Sequence, residues 1–153
     1  MFQWERFLTD IGGFDLKVDN QGNIIVAGST FPGNFYRANL IKYNPGGDTL
    51  WTRKFDILPQ QSEINAIVID NFNNIYAISD YGNSSSDYLI LKYNSSGTLQ
   101  WHTLYNSPQN YSDIPQKIVL DTIGSIYVIG TNQVPFSSFN NTLLKLTNGG
   151  SIN

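Results

Sequence analysis

The chain contains no cysteine, which excludes disulfide bonds and thiolate metal sites. It has one histidine, His102, so a zinc site or a histidine-activated nucleophile is hard to assemble. Charged residues make up only 14% of the sequence and form no basic cluster that would bind nucleic acid. No apolar run approaches the ~18 residues of a membrane-spanning helix, and the amino terminus lacks a signal-peptide pattern. We expect a soluble, non-catalytic protein without metal or cofactor.

What the sequence has instead is a threefold internal repeat. The segment Asp19–Gly28 returns at Asp70–Ser79 and again at Asp121–Gly130, with the three aspartates 51 residues apart each time. Further along the repeat, Leu-Ile-Lys-Tyr-Asn at 40–44 reappears as Ile-Leu-Lys-Tyr-Asn at 90–94. A fixed period of this length is the signature of a repeat architecture.

Each repeat is predicted to contain four short strands joined by tight turns; in the first repeat these are 14–19, 23–28, 39–43 and 49–55. Tight turns force antiparallel neighbours, yet the second strand is apolar on both faces, so it must be covered on both sides. A stack of four-stranded antiparallel sheets satisfies this requirement. The sequence therefore predicts an all-β fold, a β-propeller with one blade per repeat. A β-sandwich is the alternative, but it does not account for the period.

We expect the chain to be one domain, 1–153, divided into repeats at 9–55, 56–105 and 106–153. Trp51 and Trp101 mark the fourth strands of the first two repeats, whereas the third repeat stops before its fourth strand. The segment 1–8 is similar to a fourth strand that has no blade before it. Its apolar residues, which we predict to close an oligomer, are Phe2, Trp4 and Phe7.

Three blades are too few for a closed propeller, since known propellers use typically 4–8. An open arc of three blades would also expose an apolar face at each end. We therefore expect a homodimer that closes a six-bladed ring, in which strand 2–7 of one chain pairs with strand 141–147 of the other. A nine-bladed trimer is the less favoured closure.

The motif of an Asp-x-x-Gly-Asn-Ile turn and strand (19–24), a Lys-Tyr-Asn strand end (42–44) and a tryptophan-bearing fourth strand resembles the SBBP-type β-propeller repeat. This family occurs in bacterial and archaeal surface proteins. The resemblance implies a propeller, an extracytoplasmic or cell-surface location, and roles in binding or adhesion, and it supplies no catalytic residues. This chain differs from the family's long proteins in having three repeats.

A ligand is expected on the loop face, because the opposite face, the turn face, carries only tight polar turns. The loop face is formed by the long loops 29–38, 56–62, 80–87, 106–113 and 132–140. Aromatic rings among amide side chains suit a sugar or a peptide. We interpret the protein as a binding or scaffold module; the alternatives are a self-assembling fragment, natural or engineered, without a ligand, and a lectin-like carbohydrate-binding propeller. The predicted ligand-binding residues are Phe35, Tyr36, Tyr81, Tyr111, Phe136 and Phe139.

Other polar motifs have structural interpretations. The Asp19 turn lacks the distal glutamate of a calcium loop, so we predict an Asx turn. The equivalent lysines Lys42, Lys92 and Lys145 are predicted to be solvated, or to extend an apolar stem to a solvated amine, rather than to line a channel. His102 is predicted to lie on the surface, and the tryptophans between blades.

Overall fold

The structure of the protein is a computed structural model, which describes residues 4–8, 11–56, 60–108, 110–134 and 138–152. These residues form β-strands and turns. Within these ranges, no helix is long and apolar enough to cross a membrane. The strands are β1 (Ile11–Val18), β2 (Ile24–Thr30), β3 (Arg37–Tyr43), β4 (Thr49–Lys54), β5 (Ser62–Ile69), β6 (Ile75–Tyr81), β7 (Asp87–Tyr93), β8 (Leu99–Tyr105), β9 (Asp113–Leu120), β10 (Ile126–Val134) and β11 (Ser138–Leu146).

The strands form three antiparallel sheets in sequence order. The first sheet is β1-β2-β3-β4, the second is β5-β6-β7-β8, and the third contains β9-β10-β11. Beyond β11, Ile152 forms an antiparallel bridge with Leu146, the place that Thr49 takes beside Tyr43 in the first sheet. The predicted all-β class and the repeated antiparallel sheets are confirmed, and the arrangement is that of a three-bladed, propeller-like fold.

The first hairpin of each sheet is built by an aspartate. Asp19 Oδ1 accepts hydrogen bonds from the backbone N–H groups of Gln21 and Asn23, each 2.9 Å long. Asp70 and Asp121 make the same pair of contacts in their turns. The predicted Asx turn is therefore confirmed in all three repeats.

The first strand begins earlier than predicted because of a β-bulge. The register between β1 and β2 shifts between Gly13 and Asp15, which breaks the alternation that the sequence displays from residue 14 onward. A bulge occurs at the matching place, between Ile64 and Ala66, in the second sheet. The repeats thus share their irregularities as well as their strands.

The sheets pack face to face with β1, β5 and β9 adjacent. Each interface between neighbouring sheets is an apolar core formed by residues of two repeats. The core between the first and second sheets includes Ile25, Ala27, Leu40, Ile67, Ala77 and Leu91, and the core between the second and third includes Tyr76, Ile78, Ile90, Ile118, Val128 and Leu144. Trp51 and Trp101 pack against these cores, as predicted.

Two faces of the stack have no described sheet against them. The leading face is the side of the first sheet that carries Leu16, Val26 and Ile41; the trailing face is the side of the third sheet that carries Ile129, Asn141 and Leu143. Their apolar residues are the repeat equivalents of core residues. Leu16 is 58% exposed whereas its equivalent Ile67 is 1% exposed. Leu143 is 67% exposed, whereas its equivalent in the second sheet, Ile90, is fully buried.

Candidate functional site

The loop face presents four of the six predicted ligand-binding aromatics to solvent. Phe35, Tyr36, Tyr111 and Phe139 are all exposed. The rings are supported from within the face: the Tyr36 ring lies 4.7 Å from the exposed ring of Phe31, and the guanidinium of Arg37 lies 5.5 Å from the Phe35 ring centroid. These contacts support the aromatic loop of the first sheet from one side, and Phe35 and Tyr36 remain about two-fifths exposed.

A polar groove of about 260 Å³ runs beside Tyr36. Two carboxyl groups form one side of it. Burial, together with the nearby charge of Asp80, raises the pKa of Glu63, and burial raises the pKa of Asp80 despite a 3.2 Å hydrogen bond from the Glu63 N–H. The amide side chains of Gln61 and Asn83 line the rest. Carboxyl and amide groups beside an exposed ring can bind hydroxyl-bearing or peptide ligands.

Tyr81 differs from its prediction. It is only 7% exposed and belongs to the core between the first and second sheets. Its repeat equivalent in the first sheet is Thr30, so the sequence pattern offered no apolar position to compare it with. Tyr81 is a packing residue and not an exposed ligand contact. Phe136 lies outside the described residues.

The turn face is less polar than predicted. Phe72 and Ile123 occupy the tips of neighbouring turns and are more than four-fifths exposed. They flank a groove of about 380 Å³ between the second and third sheets. Tight turns tolerate these residues because the aspartate before each one supplies the capping bonds.

A second constellation links each tryptophan to the next sheet. Trp51 and Trp101 cover Gly97 and Gly150, where a β-carbon in place of the glycine hydrogen would come within 3.0 Å of the indole ring. The residue two positions further donates to the same glycine: Arg53 Nε to Gly97 O at 2.8 Å, and Thr103 Oγ1 to Gly150 O at 2.6 Å. The fourth strand of one sheet is thereby fastened to the third-to-fourth-strand turn of the next.

The amino-terminal segment makes these same contacts without belonging to a sheet. Trp4 covers Gly47, its indole N–H donates to Pro45 O at 3.0 Å, and Arg6 Nε donates to Gly47 O at 2.7 Å. Leu8, four residues after Trp4, is half-buried. It matches Phe55, which lies four residues after Trp51.

Of the two residues predicted to close an oligomer that the structure describes, Trp4 contacts the first sheet in this way and Phe7 does not. Phe7 is 86% exposed. Leu8, and not Phe7, takes the place that Phe55 has after Trp51, so Phe7 lies on the opposite side of the segment, away from the first sheet. Phe2 lies outside the described residues. The sequence analysis missed Arg6 and Leu8, although the shared Trp-x-Arg of 4–6 and 51–53 was a signal for the first of them.

The lysines differ among themselves. Lys42 was predicted to be solvated, but its side chain is 5% exposed and forms a 2.8 Å ion pair with the buried Asp19. It also donates to Ser95 O at 3.2 Å in the next sheet. Lys92 contacts the side-chain oxygen of Asn148 and the Tyr76 ring. The solvated interpretation of Lys42 is wrong because the next sheet covers it.

Groups that could carry chemistry are sparse. His102 is exposed, as predicted, and its ring lies edge-on to Phe55 at 5.9 Å. Across the described ranges, no three His, Cys, Asp or Glu side chains are grouped to hold a metal ion. The two constellations that stand out are the aromatic loop face and the fastening of Trp4 and Arg6.

The chain was compared with known proteins. No protein-family model matches it, and no curated protein is significantly similar to it in sequence.

Proposed function

We propose that the protein is a non-catalytic binding and scaffold module whose working form is a six-bladed ring of two chains. The observation that carries this proposal is the position of Trp4–Leu8. This segment lies on the first sheet as β4 lies on the second, although no described strand of its own chain lies beside it. In the ring, β11 of the second chain supplies that strand, and the edge of the third sheet is covered.

The repeat register specifies how the two chains meet. Lys42 pairs with Trp51 in the first sheet, and Lys92 with Trp101 in the second. The same register pairs Lys145 of one chain with Trp4 of the other. The neighbouring residue of β11, Leu146, already pairs with Ile152 of its own chain. The strand that the second chain contributes therefore begins at Trp4, opposite Lys145.

Ring closure also covers the two open faces of the stack. The leading face of one chain meets the trailing face of the other, which removes exposed residues such as Leu16, Ile129 and Leu143 from water. A two-fold axis repeats the junction, so both ends of both arcs are covered at once. The driving force is burial of apolar surface, as at the two internal junctions.

We expect the purified protein to have twice the 17.2 kDa chain mass. Size-exclusion chromatography with light scattering, over protein concentrations from about 1 to 100 µM, measures it. A folded species of the single-chain mass throughout this range would contradict the ring. Three times the chain mass would indicate the nine-bladed trimer.

The exposed ring of Tyr36, which lines the polar groove and packs against the ring of Phe31, favours a second role: binding a glycan or a peptide on the loop face. Aromatic faces next to amides and carboxyls are the surfaces that sugar rings and peptides bind. The resemblance to SBBP-type repeats supports binding or adhesion. A lectin-like propeller is the specific form of this role, and a self-assembling ring without a ligand is its alternative.

Tyr36→Ala should weaken glycan or peptide binding at least tenfold, because it removes the exposed ring beside the groove. The melting temperature should stay within a few degrees of the original, since Tyr36 lies outside both cores. A glycan array finds the ligand and titration calorimetry measures its affinity. Phe72→Ala, which removes an exposed ring from the turn face, is the matched control. Binding that is lost in Phe72→Ala and kept in Tyr36→Ala would place the ligand on the turn face.

A further inference from the structure

Two buried oxygens on the leading face have no hydrogen-bond partner in the part of the chain that the structure describes: Thr30 Oγ1 and Asn39 Oδ1. Asn39 is 3% exposed. Both residues line a groove of about 430 Å³ whose other walls include Ile41 and Lys54. A buried polar atom without a partner is costly, so each one calls for an explanation.

The matching corner of the second sheet is built differently. At the positions of Thr30 and Asn39 the second sheet has Tyr81 and Leu89, which belong to the apolar core. In the third sheet the same positions are Asn132 and Thr142, on the face towards the second sheet, and Asn132 Oδ1 also lacks a partner among the described residues. The polar corner formed by Thr30 and Asn39 differs in lying on a face that has no described sheet against it. Its partner should be sought on the surface that closes this end.

The junction between the second and third sheets shows which position faces this corner. Tyr88 extends from the second sheet to Gly130 of the third, where a β-carbon in place of the glycine hydrogen would clash with the tyrosine oxygen. In the repeat register, Gly130 matches Gly28, which pairs with Asn39. Tyr88 matches Asn141, which is exposed on the trailing face.

We propose that Asn141 of one chain hydrogen-bonds Asn39 and Thr30 of the second chain at the ring junction. The two N–H groups of its amide match the two oxygens that lack donors. This inference rests on the proposed ring and identifies the polar contact at its junction. Asparagine is shorter than the tyrosine at the internal junction, which suits a corner that Phe31 and Pro32 already narrow.

The contact gives the junction specificity. A trailing face with an apolar residue at position 141 would leave both oxygens unpaired, and a leading face with an apolar corner would leave the Asn141 amide unpaired. Either mismatch is penalised, so end faces pair with end faces. The apolar rows around Leu16 and Leu143 supply area without this selectivity.

The test is a double-mutant cycle on the dimer dissociation constant, measured by sedimentation equilibrium. Asn141→Ala should weaken the junction about tenfold, and the ring has two junctions, so the dimer should weaken about a hundredfold. Asn140→Ala is the control, since this exposed neighbour points to the opposite side of β11 and should leave dimerisation unchanged. Circular dichroism checks that each variant is folded.

Asn39→Ala combined with Asn141→Ala should lose little more than Asn141→Ala alone, because the two side chains share one contact. Losses that add independently, or equal dimerisation of the Asn140 and Asn141 variants, would overturn this inference and leave the ring intact. A wild-type chain that stays monomeric would overturn the ring, and the inference with it.

Discussion

Chains that carry both Phe7→Cys and Thr142→Cys are expected to oxidise to a covalent dimer. In the first two sheets, Asn39 pairs with Lys54 and Leu89 with Leu104. In the proposed ring, the same register would pair Thr142 of one chain with Phe7 of the other. Directly paired residues of antiparallel strands have their α-carbons about 4.5–5.5 Å apart, which is within the range that a disulfide spans. The chain has no other cysteine to interfere.

The product must join two chains, because Phe7 lies at the first sheet and Thr142 at the third, with the second sheet between them. Non-reducing electrophoresis detects it at twice the chain mass. Phe7→Cys with Leu143→Cys is the matched control, since neighbouring residues of a strand point to opposite faces. Cross-linking of the control alone would show that the register is wrong.

Deletion of residues 1–8 extends this test to the whole strand. It removes the segment fastened to the Gly47 turn and uncovers β11 of the other chain, so the dimer should dissociate or the protein aggregate. The dissociation constant should rise more than a hundredfold. Trp51→Ala, at an internal junction, should instead lower the stability of each chain with the dimer retained. An unchanged dimer of the shortened chain would rule out strand exchange.

Much of the fold could be predicted because equivalent residues of the repeats have similar surroundings in their sheets. The Asp19 turn recurs at Asp70 and Asp121 with its hydrogen bonds intact, and the doubly apolar second strand of the second sheet, β6, lies between two cores, as predicted. Trp51 and Trp101 were correctly placed between sheets, since aromatic residues at equal repeat positions pack in equal surroundings. Period and pattern are local properties, and a single sequence contains them.

What sequence analysis missed depends on contacts between sheets. Tyr81 is the last residue of β6, next to a polar loop, so nothing nearby in the sequence shows that the first sheet covers it. Asn39 and Thr30 are ordinary polar strand residues in the sequence, and their burial without partners requires the whole face. Leu8 was overlooked because the more prominent Phe7 stands beside it.

The contacts of the repeated lysine depend on the residue that pairs with it on the second strand of its sheet. In the first sheet the neighbour of Lys42 across the strands is Ile25, and the lysine reaches Asp19 directly. In the second sheet the isoleucine is replaced by Tyr76, whose hydroxyl lies 3.1 Å from Asp70 while Lys92 lies over its ring at 5.0 Å. The ion pair is therefore particular to the first repeat.

We expect Lys42→Met to destabilise the protein by about 3 kcal/mol or more, because it leaves the buried carboxylate of Asp19 without its cation. Lys92→Met is the matched control; it removes a lysine without uncovering a buried charge and should cost about 1 kcal/mol or less. Urea unfolding at one fixed protein concentration measures both, since the unfolding of a dimer depends on concentration. Equal losses in the two variants would contradict a special role for the ion pair.

The stabilities of Lys42→Met and Lys92→Met should also differ in their dependence on acidic pH. Burial alone would raise the pKa of Asp19, but Lys42 and the hydrogen bonds from Asn23 and Gln21 lower it to about 2 from its ordinary 3.8. The ionised carboxylate therefore stabilises the fold above pH 3.8, and this contribution is lost as the pH falls towards 2. In Lys42→Met the pKa of Asp19 should rise, so stability should fall less steeply across this range than in the wild type. Lys92→Met should keep the wild-type slope, and a wild-type slope in Lys42→Met would show that the backbone donors alone hold the carboxylate.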